Sequence, residues 1–397
     1  MKCCIRLLIL SVFICSCLAM NFFNFVKQHE IPAHDTSDIA AIKGGGTTDT
    51  SLKPFIEKVI EGKHLTSIEA EEAWDIMLKG ADSNQIAALL VLLRMKGEKA
   101  SEIAGMVRAM RSACLPVSIP GKLLDIVGTG GDGAHTINIS TAAAILAAAC
   151  GAKVAKFGNR SVSSKSGSAD VLEALGIKIT MSPEQITECV EKCGVSFMFA
   201  PIHHPSMKAV VPTRRALGVR TVFNILGPMT NPAGAQRVVI GVFQKDLMKL
   251  MADTLKEVGY IDHAVVIHGC GLDEISPMGP SKIVEVKNVA APGKPKRYRT
   301  RTMTFDPKSL GIPRCTVEDL KGGEARENAA EMRAVLAGGD HTNAKRDAVV
   351  LNAGVGLYVY GLEPSIKRGV ERAYEVLKSG KALEQLNLWI STSKSIS

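Results

Sequence analysis

The chain has 397 residues, 46% of them hydrophobic and only 5% aromatic, with a formal net charge of +9. That length and apolar fraction are ample for a full core, in one two-part protein or two domains, and exclude a chain that is disordered overall. The basic residues are dispersed and not interleaved with aromatics, so the charge points to an anionic small substrate in preference to nucleic acid.

Residues 1–20 set Lys2 and Arg6 ahead of an apolar run, residues 7–20. The run is short for a membrane span and has the form of a secretory signal peptide. The cysteines argue for a reduced, intracellular body: of ten, Cys3, Cys4, Cys15 and Cys17 lie in this leader and the other six form no paired framework. Cys189 and Cys193, four apart on a predicted helix, read as core thiols. Residues 1–50 are therefore placed outside the fold as a targeting or extension segment, and no membrane contact is expected of the mature body.

Residues 52–114 predict four short helices, over 52–61, 70–78, 86–96 and 103–113. Gly62, Gly80 and Gly97 stop the first three, Thr66 with Glu69 supplies a capping box, and Ser83 and Ser101 precede the last two. Short links make these a small helical domain, residues 51–120, expected to be joined by part of 203–232, whose Met and Leu stripes are core. Pro116 to Pro120 then serves as a hinge.

The central stretch, residues 123–176, reads as two strand-to-helix turns side by side. The apolar run 123–127 breaks into glycines at 128, 130, 131 and 133 before an Ala-rich helix over 141–150, and the run 152–157 opens into a polar loop, 158–168, before a helix over 169–175. Glycines let main-chain amides face a ligand, and helix starts add unpaired N–H groups, a combination suited to phosphate. From Gly133 to Ala169 there is no Asp or Glu, while Lys153, Lys156, Arg160 and Lys165 are present and Asn138, Ser140, Thr141, Asn159, Ser161, Ser163 and Ser164 offer neutral hydrogen bonds. Residues 128–133 also satisfy G-x-G-x-x-G, but the acid expected about twenty residues on for a dinucleotide ribose is missing, and neither loop has the triphosphatase pattern G-x-x-x-x-G-K-[ST].

Alternation continues with strands over 177–180 and 195–200 and a helix opening at Ser182-Pro183-Glu184-Gln185, so a largely parallel sheet is expected. Residues 203–232 carry His203, His204, Arg214 and Arg215. Adjacent histidines with no third ligand at a useful spacing do not make a zinc site and read as turn or pocket-wall residues. A strand over 238–243, a helix over 246–258 and a strand over 264–268 lead to the pair Asp273-Glu274, just past a strand end, where open α/β sheets bind ligands. The basic run 294–301 fits a solvated hairpin edge. Helices are expected over 325–336, 344–360 and 365–378, the last closing the chain.

GTGGDG (128–133), NIST (138–141) and KFGNRSVSSKSGSADVLEALG (156–176), followed by R-R-x-L-G (214–218) and T-V-F-N-I-L-G-P (221–228), closely resemble the anthranilate phosphoribosyltransferases of tryptophan biosynthesis. Motif order and spacing match across residues 52–390, although many members have His where this chain has Phe157. The resemblance implies an α/β fold with a small all-helical domain and a large domain, residues 121–397, around a mostly parallel sheet. It implies transfer of the phosphoribosyl group of phosphoribosyl pyrophosphate to anthranilate, with Mg2+ as cofactor and no nucleic-acid partner. It assigns substrate binding to Gly128, Gly131, Asp132, Thr136, Asn138, Ile139, Ser140, Thr141, Lys156, Gly158, Asn159, Arg160, Ser163, Ser164, Ser168 and Arg214, with Arg214 on the anthranilate carboxylate. Asp273 and Glu274 would hold two magnesium ions, joined at one by the Ser140 hydroxyl. No general acid or base is implied; Asn159 and Arg214 position the reactants. A homodimer is expected, and a plastid location by likeness to plant members, although the leader is not rich in Ser and Arg as a transit peptide is. The rival reading is a pyrimidine nucleoside phosphorylase-like glycosyl transfer, which the acid pair and GTGGDG disfavour. A dinucleotide-dependent oxidoreductase and a non-catalytic nucleotide-binding regulator are weaker alternatives.

Overall fold

Five short apolar runs become parallel strands: β1 (Leu124–Gly128), β2 (Val154–Gly158), β3 (Val195–Phe199), β4 (Arg237–Gly241) and β5 (His263–Gly269). Two antiparallel strands, β6 (Ser281–Asn288) and β7 (Tyr298–Phe305), extend the sheet in the order β3-β2-β1-β4-β5-β6-β7. The structure, a computed structural model, describes residues 50–161, 165–338 and 343–396. The leader and the predicted Ser163 and Ser164 contacts lie outside the described residues. In register, β1 and β4 end together on Gly128 and Gly241, and β2 and β5 end on Gly158 and Gly269. Four of the five parallel strands thus finish in glycine at the edge where such sheets bind ligands.

Four helices precede the sheet: α1 (Lys53–Ile60), α2 (Ser67–Leu78), α3 (Ser83–Lys96) and α4 (Ala100–Ser112). The Thr66/Glu69 capping box forms as expected, whereas α3 and α4 are capped one and two residues earlier than the serines suggested, by Asp82 and Lys99. The later helices are α5 (Ile139–Ala149), α6 (Ser168–Ala174), α7 (Pro183–Cys193), α8 (Ala200–His203), α9 (Val211–Leu217), α10 (Phe223–Leu226) and α11 (Leu247–Glu257). Four more, α12 (Ala325–Leu336), α13 (Ala344–Tyr360), α14 (Ile366–Lys378) and α15 (Lys381–Ser395), complete the order. Among the described residues no helix is long and apolar enough to cross a membrane.

Two expectations fail. Residues 177–180 are extended but join no strand. Ile177 and Ile179 are buried while the Lys178 amide donates to Ser393 Oγ at 3.2 Å, so an α15 side chain takes the place of a strand partner. That same α15 follows the helix expected to be last; only Ser379 and Gly380 separate it from α14, and Leu386 and Trp389 bury its inner face.

Alternation along the strands splits the core between the two faces of the sheet. Val239, Val265 and Ile267 pack with α5 and α13 on one side. Val238, Ile240, Ala264 and Val266 pack with α11 and the N-terminal helices on the other, so the helical part and one sheet face share a single core. Close helix crossings depend on glycine: a Cβ on Gly354 would strike Val370, and one on Gly369 the Gly354 carbonyl, fixing α13 on α14. Cys189 and Cys193 are buried in the first of these cores with Sγ atoms 3.7 Å apart, as core thiols.

Candidate active site

Bare backbone at the strand ends lets the acid pair settle directly on the sheet. A Cβ on Gly128 would collide with the Asp273 carboxylate, one on Gly241 with the Asp273 carbonyl, and one on Gly269 with the Glu274 carbonyl. Asp273 Oδ2 accepts from the Gly130 amide at 2.7 Å, and Glu274 Oε1 accepts from the Ser140 amide at the start of α5 at 3.2 Å. Residues 143 and 134 positions apart in the chain are thereby joined. Burial, reinforced by the charge of Asp132, pushes the Asp273 carboxyl up to about 7. Burial and the Asp273 charge push Glu274 well up too. Lys156, 1% exposed, lies below them with Nζ donating to the Ile126 carbonyl at 2.6 Å and to Ser140 Oγ at 3.4 Å, and burial depresses its pKa.

The glycine loop above the acids turns a row of main-chain amides outward, the geometry from which anion-binding nests are made. Gly130, Gly131 and Gly133 all hold left-handed φ, and the amides of Gly131, Asp132 and Gly133 have no acceptor among the described residues. Asp132 folds back to accept from the Ala134 amide at 3.1 Å. Thr136 pairs with Lys321 in an isolated bridge, and Ile139, buried, opens α5.

The second loop is tied to the first through small polar groups. Thr141 Oγ1 donates to Ser168 Oγ at 3.0 Å, and Asn138 Nδ2 donates to the Ser166 carbonyl at 3.0 Å. Asn159 Oδ1 accepts from the Arg160 amide at 2.7 Å, and Gly158 leaves room for the Phe197 ring. Arg160 itself is committed to Asp170 at 2.8 Å and Glu173 at 2.5 Å. The stretch 133–169 lacks acids, yet Asp170 just beyond it reaches back and caps Ser161 and Gly167 as well. Lys153, counted above among the loop cations, begins the strand side of β2 and bonds the Pro120 carbonyl, away from the strand ends.

The segment 203–232 carries the remaining candidate residues and touches the glycine loop through Arg220. Arg214, on α9, makes no ion pair among the described residues; its guanidinium lies 4.8 Å from the centre of the Phe223 ring and burial lowers its pKa. His204 Nε2 shares a 3.0 Å hydrogen bond with the Thr230 carbonyl, burial drops its pKa to about 4, and its ring packs 5.3 Å from Phe157. Both histidines are buried, His203 closing α8 and His204 capping it, and Phe157 is buried against the His204 ring.

Several supporting residues escape a reading by motif. Asn352 clamps Ile275, next to Glu274, through both its main-chain N–H (3.2 Å) and C=O (2.7 Å). Asn328 donates to Asn138 Oδ1 at 3.1 Å, and Asn231 joins Asp125 at 2.8 Å to the Ala155 carbonyl at 2.9 Å. The signal available for Asn352 was a lone amide within the apolar run of α13. Arg220 donates to the Gly131 carbonyl and so joins the Arg214 segment to the nest.

Comparisons agree with this architecture. The sequence profile for the glycosyl transferase family, a/b domain, matches residues 120–383, and that for the glycosyl transferase family, helical bundle domain, matches residues 53–114. The chain is 47% identical over 339 residues to anthranilate phosphoribosyltransferase of Methanosarcina acetivorans, covering 85% of this chain and 88% of the relative. It is 43% identical over 345 residues to that of Chlamydia caviae, covering 87% and 97%. Among solved structures, the Thermus thermophilus anthranilate phosphoribosyltransferase superposes with a TM-score of 0.78 at 44% identity, covering 86% of this chain and 99% of that one. The Saccharomyces cerevisiae enzyme in complex with PRPP and Mg superposes with a TM-score of 0.79 at 27% identity, covering 88% and 99%. Identity at this level, sustained through both the helical part and the sheet, means that the chain belongs to the anthranilate phosphoribosyltransferase family.

Proposed function

We propose that the chain transfers the phosphoribosyl group of phosphoribosyl pyrophosphate to the amine of anthranilate, giving N-(5-phosphoribosyl)anthranilate and pyrophosphate, a step of tryptophan biosynthesis. The observation that carries this reading is the junction of the Asp273-Glu274 pair with the glycine loop and the start of α5. It turns two sequence-distant motifs into one site for a diphosphate and its counter-ion.

The donor set fits Mg2+. Two buried carboxylates forced toward protonation form a site short of positive charge, and hard oxygen donors suit this cation. Among the described residues no third His, Cys, Asp or Glu completes a cage, which accords with a metal that takes its other ligands from water and substrate oxygens. When bound, Mg2+ supplies charge neutralisation to the leaving pyrophosphate. Asp273 and Glu274 would hold it, with Ser140 Oγ close to Lys156 as the third oxygen.

The remaining work falls to the chain. The free amides of residues 131–133 face a leaving group that gains negative charge, and they are fixed in advance by the loop. Arg214, a planar cation without a carboxylate of its own, grips the anthranilate carboxylate. An aromatic amine attacks with little prior deprotonation, so orientation by Arg214 and Asn159 contributes through proximity. Loss of anthranilate fluorescence on adding phosphoribosyl pyrophosphate and Mg2+ tests the reading; a stable signal with folded protein would refute it.

The same reading extends to a homodimer. Ile60, Ile68 and Met95, exposed by 65%, 77% and 75%, all lie on the first three helices and offer apolar surface for a second copy. A monomer by sedimentation at micromolar concentration would count against it. For location, plastid import follows from the likeness to plant members, and a fusion of residues 1–50 to a fluorescent protein that stays out of plastids would overturn it.

A further inference from the structure

The basic run left without a role lies at the other end of the sheet. β4 opens on Arg237 and closes on Gly241 beneath Asp273, so its two ends stand about 13 Å apart at the usual rise per residue. At the Arg237 end, the loop between β6 and β7 borders the start of β4, and between them lies a solvent-open cavity of about 350 Å³. Its charged lining is Arg237, Lys287, Lys294 and Lys296 against the single carboxylate of Asp262.

That carboxylate is already engaged. Lys296 Nζ donates to Asp262 Oδ1 at 2.5 Å and to the carbonyls of Tyr260 and Ile261 at 2.9 and 3.1 Å, so Lys296 and Asp262 balance each other. Arg237 Nε stands 3.9 Å from Asp262 Oδ2, beyond a hydrogen bond, and is buried without a partner among the described residues. Arg237 Nη1 bonds the Val359 carbonyl at 3.1 Å. Lys287 and Lys294 enter no salt bridge among the described residues; Glu285, two positions before Lys287 on β6, is occupied by His263 and Tyr358. The cavity therefore keeps a formal surplus of three positive charges.

We infer that this cavity is a second anion site, for a small molecule bearing two or more phosphate or carboxylate charges. The inference is independent of the transferase reading. The volume sits at the small end of ligand pockets, and uncompensated cations converging on one small hollow favour a compact multivalent anion. A nucleic-acid strand fits less well, because the lining has no aromatic side chain on which a base can stack.

Isothermal titration of the full chain, without metal and at low salt, tests the site with citrate and with inorganic phosphate as separate probes. At least one probe is expected to bind saturably, and the tighter of the two tells carboxylate from phosphate ligands. Lys287→Gln with Lys294→Gln should weaken it by about tenfold or more, Lys287→Arg with Lys294→Arg should retain it, and Arg214→Ala should leave it unchanged. Unaltered affinity in the glutamine variant, loss in Arg214→Ala, or no saturable binding of either probe would overturn the site. So would binding of a short single-stranded RNA through the two lysines when neither small anion binds. Both lysines project from the surface loop and strand end, and an unchanged unfolding midpoint verifies that the variants are folded.

Discussion

Arg220 donates a hydrogen bond to the carbonyl of Gly131, and its guanidinium lies 4.2 Å from the centre of the Phe243 ring. One side chain thus spans from the segment that carries Arg214 to the loop that carries the amide nest. Gly131 holds φ +80°, and a Cβ there would come within 3.3 Å of Arg220 Nη2, so the turn and the contact require the same glycine.

Arg220→Ala should therefore loosen the nest and raise KM for phosphoribosyl pyrophosphate by about tenfold, the worth of one charge-assisted hydrogen bond. Lys at this position should restore only part of the loss, because it lacks the planar face that rests on Phe243. Steady-state kinetics at saturating anthranilate decide the matter, and an unchanged KM dismisses the latch.

Arg214→Ala should raise KM for anthranilate by roughly thirtyfold while moving that for phosphoribosyl pyrophosphate far less, since a bidentate grip on a carboxylate contributes about 2 kcal/mol. Equal effects on the two substrates would remove the assigned role.

Asp273→Asn combined with Glu274→Gln should abolish most Mg2+-dependent turnover. It should also end the rise in unfolding midpoint that Mg2+ with pyrophosphate gives the unaltered protein, because a ligand that binds only the folded state stabilises it. A double variant that is still stabilised by Mg2+ and pyrophosphate would show that the ion sits elsewhere.

Glu285, buried between His263 (2.8 Å) and Tyr358, has its carboxyl held down to about 2, first by the His263 hydrogen bond. A depressed folded-state pKa adds stability that is whole above the ordinary carboxylate value of 4.5 and drains away as the pH falls toward 2. Glu285→Gln should lower stability at pH 7 by about 2 kcal/mol and flatten the acid limb between those values, as followed by denaturant unfolding across pH. An acid limb of the same slope in both proteins would locate the titration in other groups.

The five parallel strands were legible because they are buried and so read as plain apolar runs between glycine punctuation, whereas β6 went unread and the largely exposed β7 gave only a hairpin edge. The loop residues were legible for a related reason, since a main-chain nest can be made only from a short menu of small residues. What stayed hidden depends on distance in the chain. Nothing near Ile177 indicates that its partner is Ser393, nothing near Gly131 names Arg220, and Asp170 lies one residue past the stretch in which acids were counted. The helix over Lys381–Ser395 was missed because Gly380, a stop for one helix, is also the cap of the next.

Glycine at the ends of β1, β4 and β5 leaves bare backbone, with no side chain to exchange, beneath the Asp273-Glu274 pair. Phe157, which packs on His204, and Phe223, which packs on Arg214, are by contrast replaceable side chains. Any drift of this scaffold toward a different nucleophile is therefore expected at such side chains, with those three glycines passed on unaltered.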